Sequence, residues 1–251
     1  ETQCLNLGYT TQEKYMNILA IDTATEACSV ALQYNERVIT RFEICPQQHS
    51  QRLLPMVDDV LKEANVGLSD IELLAFGRGP GSFTGVRIAT GMIQGLALGT
   101  GLKVAGVSTL EAMACEAATK SMDKDALIAV ASDARMDEVY FAVYSQTDKG
   151  VTLRLDEQVC PPAVAIEQLN ALGHGVSVIT AGTGWAAYDK LTEWRSSSAV
   201  AMSQEVTLPN AQYMLTLAVT ASENGNVSEA VNVEPVYLRD KVTWKKLPGR
   251  E

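Results

Sequence analysis

The residues most able to do chemistry lie in one run: Phe76-Gly77-Arg78-Gly79-Pro80-Gly81-Ser82-Phe83-Thr84-Gly85-Val86-Arg87. An apolar stretch, Ile71 to Phe76, precedes this glycine-rich run, and a helix-like stretch from Val86 to Leu98 follows it. Glycines let a backbone take positive φ and approach a partner closely, and Ser82 or Thr84 can cap the helix. A strand, a glycine turn and a helix N-terminus together make either an anion site or a tight contact surface. The bland alternative is a strand-to-helix turn that binds nothing. No Gly-Lys-Ser/Thr follows, so this is not a Walker loop, and Ser82 directly after Gly81 breaks the G-x-S-x-G nucleophile pattern.

Metal and nucleophile chemistry find little support. The two histidines, His49 and His174, are far apart in sequence and form no H-x-x-x-H pair. His49 is expected as an exposed or helix-capping residue, and Ser82 has no histidine near it in sequence for a hydrolase triad. The five cysteines (Cys4, Cys28, Cys45, Cys115, Cys160) are scattered without CxxC spacing. They read as reduced thiols of a cytoplasmic protein. No metal ligand set and no catalytic residue is expected.

Composition limits the partners. The chain has 251 residues, 47% hydrophobic and 20% charged, with a formal net charge of −10. That length supports one large domain or two modest ones. Gripping RNA alone normally takes a basic face, because phosphate neutralisation supplies most of the affinity. The local exception is the tail from Arg239, where Lys241, Lys245, Lys246 and Arg250 accompany Trp244. It is either a solvated terminus or a basic strap for an acidic partner or a phosphate. Residues 1–15 are polar and aperiodic and are expected to be an extension or tag before a natural start at Met16. Apolar runs stop well short of the roughly 20 residues a membrane span needs.

The elements that would position these residues follow from periodicity. Ile18–Ile21, Cys28–Leu32 and Val38–Phe42 suggest an antiparallel meander. Leu53, Val57, Val60, Leu61 and Ala64 have helical spacing, with Ser50 expected as N-cap and Pro55 in the first turn. Then come a strand at 71–76, the glycine run, a helix at 85–99, a strand at 104–107 and a helix from Thr109 capped by Ser108 with Glu111. This order, βββαβαβα, is that of a ribonuclease-H-like unit. A second pass begins at Ala126: strands at 127–132, 139–145 and 151–159, a helix at 163–172, a strand at 176–181, then a turn into a helix. A last helix, 211–224, is expected to pack back on the first unit. The domains so drawn are a first lobe, 16–118 with 206–230, a second lobe, 119–205, and a tail, 231–251.

Several long motifs carry a family resemblance. GRGPGSFTGVRI, preceded by ILAIDTATEACSVAL at 18–32, resembles the bacterial YeaZ/TsaB family. So do Ser132-Asp133-Ala134-Arg135-Met136-Asp137-Glu138-Val139-Tyr140 and the tail EPVYLRDKVTWKKLPG. The likeness spans Met16 to the end. It implies an α/β fold of two ribonuclease-H-like lobes, the actin/Hsp70/sugar-kinase (ASKHA) architecture. It also implies a non-catalytic scaffold subunit of the machinery that makes threonylcarbamoyladenosine at position 37 of ANN-decoding tRNAs. The implied partners are a metal-bearing TsaD-type catalytic subunit, a TsaE-type ATPase and a second copy of the chain, with tRNA met only through the complex. ATP or ADP and Mg would be bound only within that complex. The alternative is an autonomous ATPase, kinase or peptidase using the interlobe cleft.

That architecture directs attention to three degenerate nucleotide contacts. Asp22 and Thr23 offer an acid and a hydroxyl without a glycine, Asp133 an acid without a glycine, and Gly182 and Gly184 a glycine loop. Asp22 could instead cap its strand or pair with Arg135 or Arg87. The partner surface is expected from Met56, Val57, Leu61, Gly81, Ser82, Thr84, Gly85, Arg87, Met92 and Gly95, the methionines giving adaptable contacts. Gly91, Gly95 and Gly99 recur every four residues on one helix, each costing about 1 kcal/mol relative to alanine. Either an internal backbone or another subunit must approach them closely.

Overall fold

The computed structural model describes residues 15–148, 150–173, 176–197 and 205–239. Expectations for residues 1–14, His174, Lys241, Trp244, Lys245, Lys246 and Arg250 lie outside the described residues. Two sheets form the frame. The first has strand order β3-β2-β1-β4-β5, from β1 (Ile18–Asp22), β2 (Ala27–Tyr34), β3 (Arg37–Ile44), β4 (Leu73–Gly79) and β5 (Val104–Ser108). β1 to β3 form an antiparallel meander, and β4 and β5 add in parallel. The second repeats the pattern as β8-β7-β6-β9, with β6 (Leu127–Asp133), β7 (Val139–Thr147), β8 (Gly150–Cys160) and β9 (Val178–Ala181). These are the two ribonuclease-H-like lobes that the element order predicted.

β1 is apolar throughout because both its faces are buried. Leu19 and Ile21 point to a core shared with α1 (His49–Ala64) and α2 (Phe83–Thr100). Ile18 and Ala20 point to the opposite core, closed by α7 (Met214–Glu223). The last helix therefore packs on the first lobe as expected. In the second lobe α4 (Pro162–Ala171), α5 (Gly184–Ala187) and α6 (Asp189–Ser197) cover one face through Leu169, Trp185 and Leu191.

α3 (Thr109–Lys120) joins the lobes. Leu110, Met113, Ala114 and Ala117 pack on the second sheet, while Ala112 enters the first lobe's core. The sequence boundary at 118 puts nearly all of it in the first lobe, yet most of its buried apolar side chains pack in the second. Ser108 Oγ accepts hydrogen bonds from the Leu110 and Glu111 amides, the N-cap the sequence predicted. At α1 the expectation fails in detail. The helix begins two residues early, at His49, so Ser50 is not its cap, and Pro55 falls in the second turn. His49 is buried rather than exposed, 8% accessible, packed at the start of α1.

Candidate functional site

The C-terminal ends of β1 and β4 face the turn between β6 and β7, and the predicted nucleotide contacts gather there. Each is spent on an internal contact. Asp22 is wholly buried: Oδ1 accepts the Ala24 amide at 3.2 Å, and Oδ2 has no partner. Gly77 closes over it, since a Cβ built on Gly77 would lie 1.7 Å from Oδ2. Burial pushes the Asp22 carboxyl up to about 7, against a modest lowering by the Ala24 amide. The strand-end cap expected of Asp22 is present. The pairing with Arg135 or Arg87 is not, since those guanidiniums go to Asp133 and Glu26 and to Tyr237. Thr23, equally buried, donates its hydroxyl to the Gly85 carbonyl at 2.7 Å.

The second lobe behaves the same way. Asp133 Oδ1 accepts the Arg135 amide at 2.8 Å and the Tyr188 hydroxyl at 2.7 Å, and Oδ2 accepts Arg135 Nη1 at 2.9 Å. These bonds hold a turn in which Arg135, Met136 and Asp137 all have positive φ. Gly182, at φ +100°, and Gly184 crowd the Ala131 carbonyl, 2.3 and 2.9 Å from where a Cβ would stand. Thr23, Asp133, Gly182 and Gly184 are thus engaged by the chain itself, while Asp22 keeps Oδ2 unpartnered beneath Gly77.

The glycine run also turns inward. The Ser82 amide donates to the Ala24 carbonyl at 2.7 Å. A Cβ on Gly81 would stand 2.3 Å from Ala24 O, and one on Gly85 2.1 Å from Thr23 O. Gly81 and Gly85 leave no room for a Cβ, which lets this loop lie directly on the β1–β2 turn. Ser82 Oγ accepts the Gly85 amide at 3.4 Å as the N-cap of α2. Ser82 and Thr84 are exposed. Arg87 stacks over the Phe83 ring at 3.7 Å and donates from Nε to Tyr237 Oη at 2.8 Å.

Among the described residues thiol chemistry is equally remote. Cys28, Cys45, Cys115 and Cys160 are buried and free, and burial lifts Cys28 and Cys115 to about 12 and Cys160 to about 11. None supplies a thiolate near neutral pH.

The helical face divides the remaining candidates. Met56 and Val57 belong to the first-lobe core, 3% and 4% accessible, and present no surface. Leu61 and Met92 are half-buried. Gly91, Gly95 and Gly99 are exposed, and among the described residues nothing lies within 4 Å of a Cβ at any of them. Of the two approaches the sequence leaves open, an internal backbone is absent among the described residues. Leu98 stands beside it, 68% exposed. A groove of about 540 Å³ runs along the same helix, lined by Leu68, Ile71, Gly95, Leu96, Gly99 and Leu102.

The contact that sequence reasoning missed is Arg239. The sequence places it in a tail that is either a solvated terminus or a basic strap for an acidic partner or a phosphate; its guanidinium pairs with Glu138 of its own chain. The separation of 101 residues leaves no local signal for this.

Comparison with known proteins adds the relationship. A family model described as "TsaD: tRNA N6-adenosine threonylcarbamoyltransferase" matches residues 40–247. The tRNA threonylcarbamoyladenosine biosynthesis protein TsaB of Escherichia coli K12 is 48% identical over 94% of this chain and 100% of its own length. The Haemophilus influenzae protein of the same name is 44% identical over 94% and 99%. YeaZ from Pseudomonas aeruginosa, a solved structure, is 40% identical, covers 89% of this chain and 100% of its own, and superposes with a TM-score of 0.76. Identity of 40–48% over about nine-tenths of the chain, on the same two-lobed fold, places the relationship: this chain belongs to the YeaZ/TsaB family.

Proposed function

We propose that the chain is a non-catalytic subunit of the machinery that makes threonylcarbamoyladenosine on tRNA. It docks a TsaD-type catalytic subunit through the exposed face of α2. The observation that carries the reading is the open glycine stripe. Three glycines within one helix cost stability, and no internal neighbour among the described residues explains them. Close approach of a partner helix does explain them. The full-length likeness to proteins named for this biosynthesis supplies the chemistry of the complex.

In the isolated chain the same face pairs with a second copy, and in the complex it yields to the catalytic subunit. A TsaE-type ATPase joins that assembly, and nucleotide and Mg belong to those partners. The reading as an autonomous ATPase, kinase or peptidase is the weaker, because Asp22, Asp133 and the loop glycines are already engaged internally.

Replacing Gly91, Gly95 and Gly99 together with Ala tests the surface. The isolated protein gains about 2 kcal/mol, because each change removes the cost of a helical glycine. Assembly should weaken at the same time. Sedimentation reads the homodimer, pull-down reads the TsaD-type subunit, and reconstituted tRNA modification reads the function. A variant that is more stable yet assembles and functions normally would rule this face out.

Charge gives a second expectation. With a net charge of −10 the isolated chain binds tRNA weakly near physiological salt. Submicromolar binding with a steep salt dependence in a filter assay would contradict recruitment of tRNA through the complex alone.

A further inference from the structure

The chain's own C-terminal segment crosses from one lobe to the other. After a short 3-10 turn at Ala230–Asn232, the Val233 carbonyl accepts Gln94 Nε2 of α2 at 3.0 Å. The Val236 amide donates to the Arg78 carbonyl at 2.7 Å. Val236 O lies 2.8 Å from where a Cβ on Gly79 would stand, and Gly79 has φ +101°. Only glycine suits that place, for its backbone conformation and for its space. Tyr237 then takes the Arg87 hydrogen bond, its ring 5.5 Å from that of Phe83. Two residues on, Arg239 reaches the second lobe. Its Nη1 donates to the Ala134 carbonyl at 3.1 Å, and its Nη2 pairs with the Glu138 carboxylate.

We infer that residues 233–239 form an interlobe clasp, coupling the N-terminal turn of α2 to the strained β6–β7 turn of the second lobe. Two observations besides the contacts carry this. Among the described residues, the other polar side-chain contacts of the β6–β7 region with the first lobe are slighter. Arg135 and Glu26 meet at 3.4 Å with side chains 75% and 48% exposed, and the Tyr140 hydroxyl reaches the Gly81 carbonyl only at 3.4 Å. Arg239 and Glu138, by contrast, are 18% and 31% exposed. The turn being held also needs holding. Arg135, Met136 and Asp137 have φ of 61°, 58° and 60° in succession. Side-chain-bearing residues adopt that conformation at a cost, and a run of three persists only where its surroundings enforce it. Asp133 and Tyr188 grip the turn from within the second lobe, and Arg239 grips it from outside.

The clasp bears on docking as well. If α2 is the docking helix, an inference that rests on the function proposed above, a partner seated near Phe83 and Arg87 would meet Tyr237 and act on the turn beyond it. The clasp itself is tested on the isolated chain, so that its failure and the failure of the docking reading stay separate.

Hydrogen exchange reads the coupling. Tyr237 makes its side-chain contacts on the first lobe. If the clasp acts as a unit, Tyr237→Ala speeds exchange of the Ala134, Arg135 and Glu138 amides by about tenfold, as Arg239→Ala does, and the double variant adds little more. Tyr237→Phe, which loses only the hydroxyl, gives a smaller change of the same sign. Unchanged exchange in the turn of folded Tyr237→Ala overturns the clasp. So does an effect confined to Arg239→Ala, since the segment would then be two independent anchors.

Discussion

Replacing Asp22 with Asn stabilises the protein by about 3 kcal/mol at pH 8 and changes its stability little near pH 4. Asp22 is fully buried, its Oδ2 faces Gly77 without a partner, and its carboxyl is raised from 3.8 to about 7. At 1.36 kcal/mol per pKa unit that rise corresponds to about 4 kcal/mol, an upper figure once local relaxation is allowed. The folded chain holds the proton more tightly than the unfolded chain. Stability from this group is thus complete below pH 3.8 and declines as pH rises towards 7. Above that, the native state carries a buried, unpaired carboxylate, and Asn removes the charge. Near pH 4 the neutral acid and the amide face the same missing partner, so their costs cancel. Urea unfolding of the two proteins across this range measures the difference, and a difference that does not vary with pH would mean that Asp22 ionises freely.

The same residue shows where sequence reading stops. An acid at the end of a strand, followed by hydroxyls, reads equally well as a metal-water ligand or a strand cap. What decides is Gly77, fifty-five residues away, lying over the carboxylate. The strands and helices themselves were legible because burial on one or both faces imposes a period on the sequence. Met56 was legible too: it sits on the stripe of Leu53, Val57 and Val60, and its place in the core follows from that spacing. The adaptability of methionine points to a partner surface instead, an argument from residue type that ignores position. The glycine stripe was noticed, but its surroundings were not readable. Ala89, Ile93 and Ala97 take the buried side of α2, which leaves Gly91, Gly95 and Gly99 on the open one. The pairing of Arg239 with Glu138 was invisible, because no local pattern announces a contact made by a segment without regular structure.

Gly85→Val, the second change with a large expected effect, acts on the fold before it acts on any partner. The loop from Gly81 to Gly85 lies against the β1–β2 turn, with the Thr23 hydroxyl donating to the Gly85 carbonyl and the Ala24 carbonyl accepting the Ser82 amide. The first atom of any side chain at residue 85 would stand 2.1 Å from the Thr23 carbonyl oxygen. Backbone atoms cannot rotate aside as the end of a side chain can, so α2 must shift away from β1 and give up both hydrogen bonds. Overpacking of this kind, with a buried hydroxyl left unpaired, costs about 3 kcal/mol or more. For a chain of this size that lowers the melting temperature by roughly 10 °C. Alanine at the same position should cost nearly as much, because the clash begins at Cβ. Substituting Gly95 with Ala, on the open face of the same helix, should instead raise the melting temperature slightly. Thermal unfolding of the three variants separates the two roles of glycine in α2. If Gly85→Val melted like the parent protein and failed only in assembly, the loop would be a docking element after all, and its close packing on Thr23 would not be needed for stability.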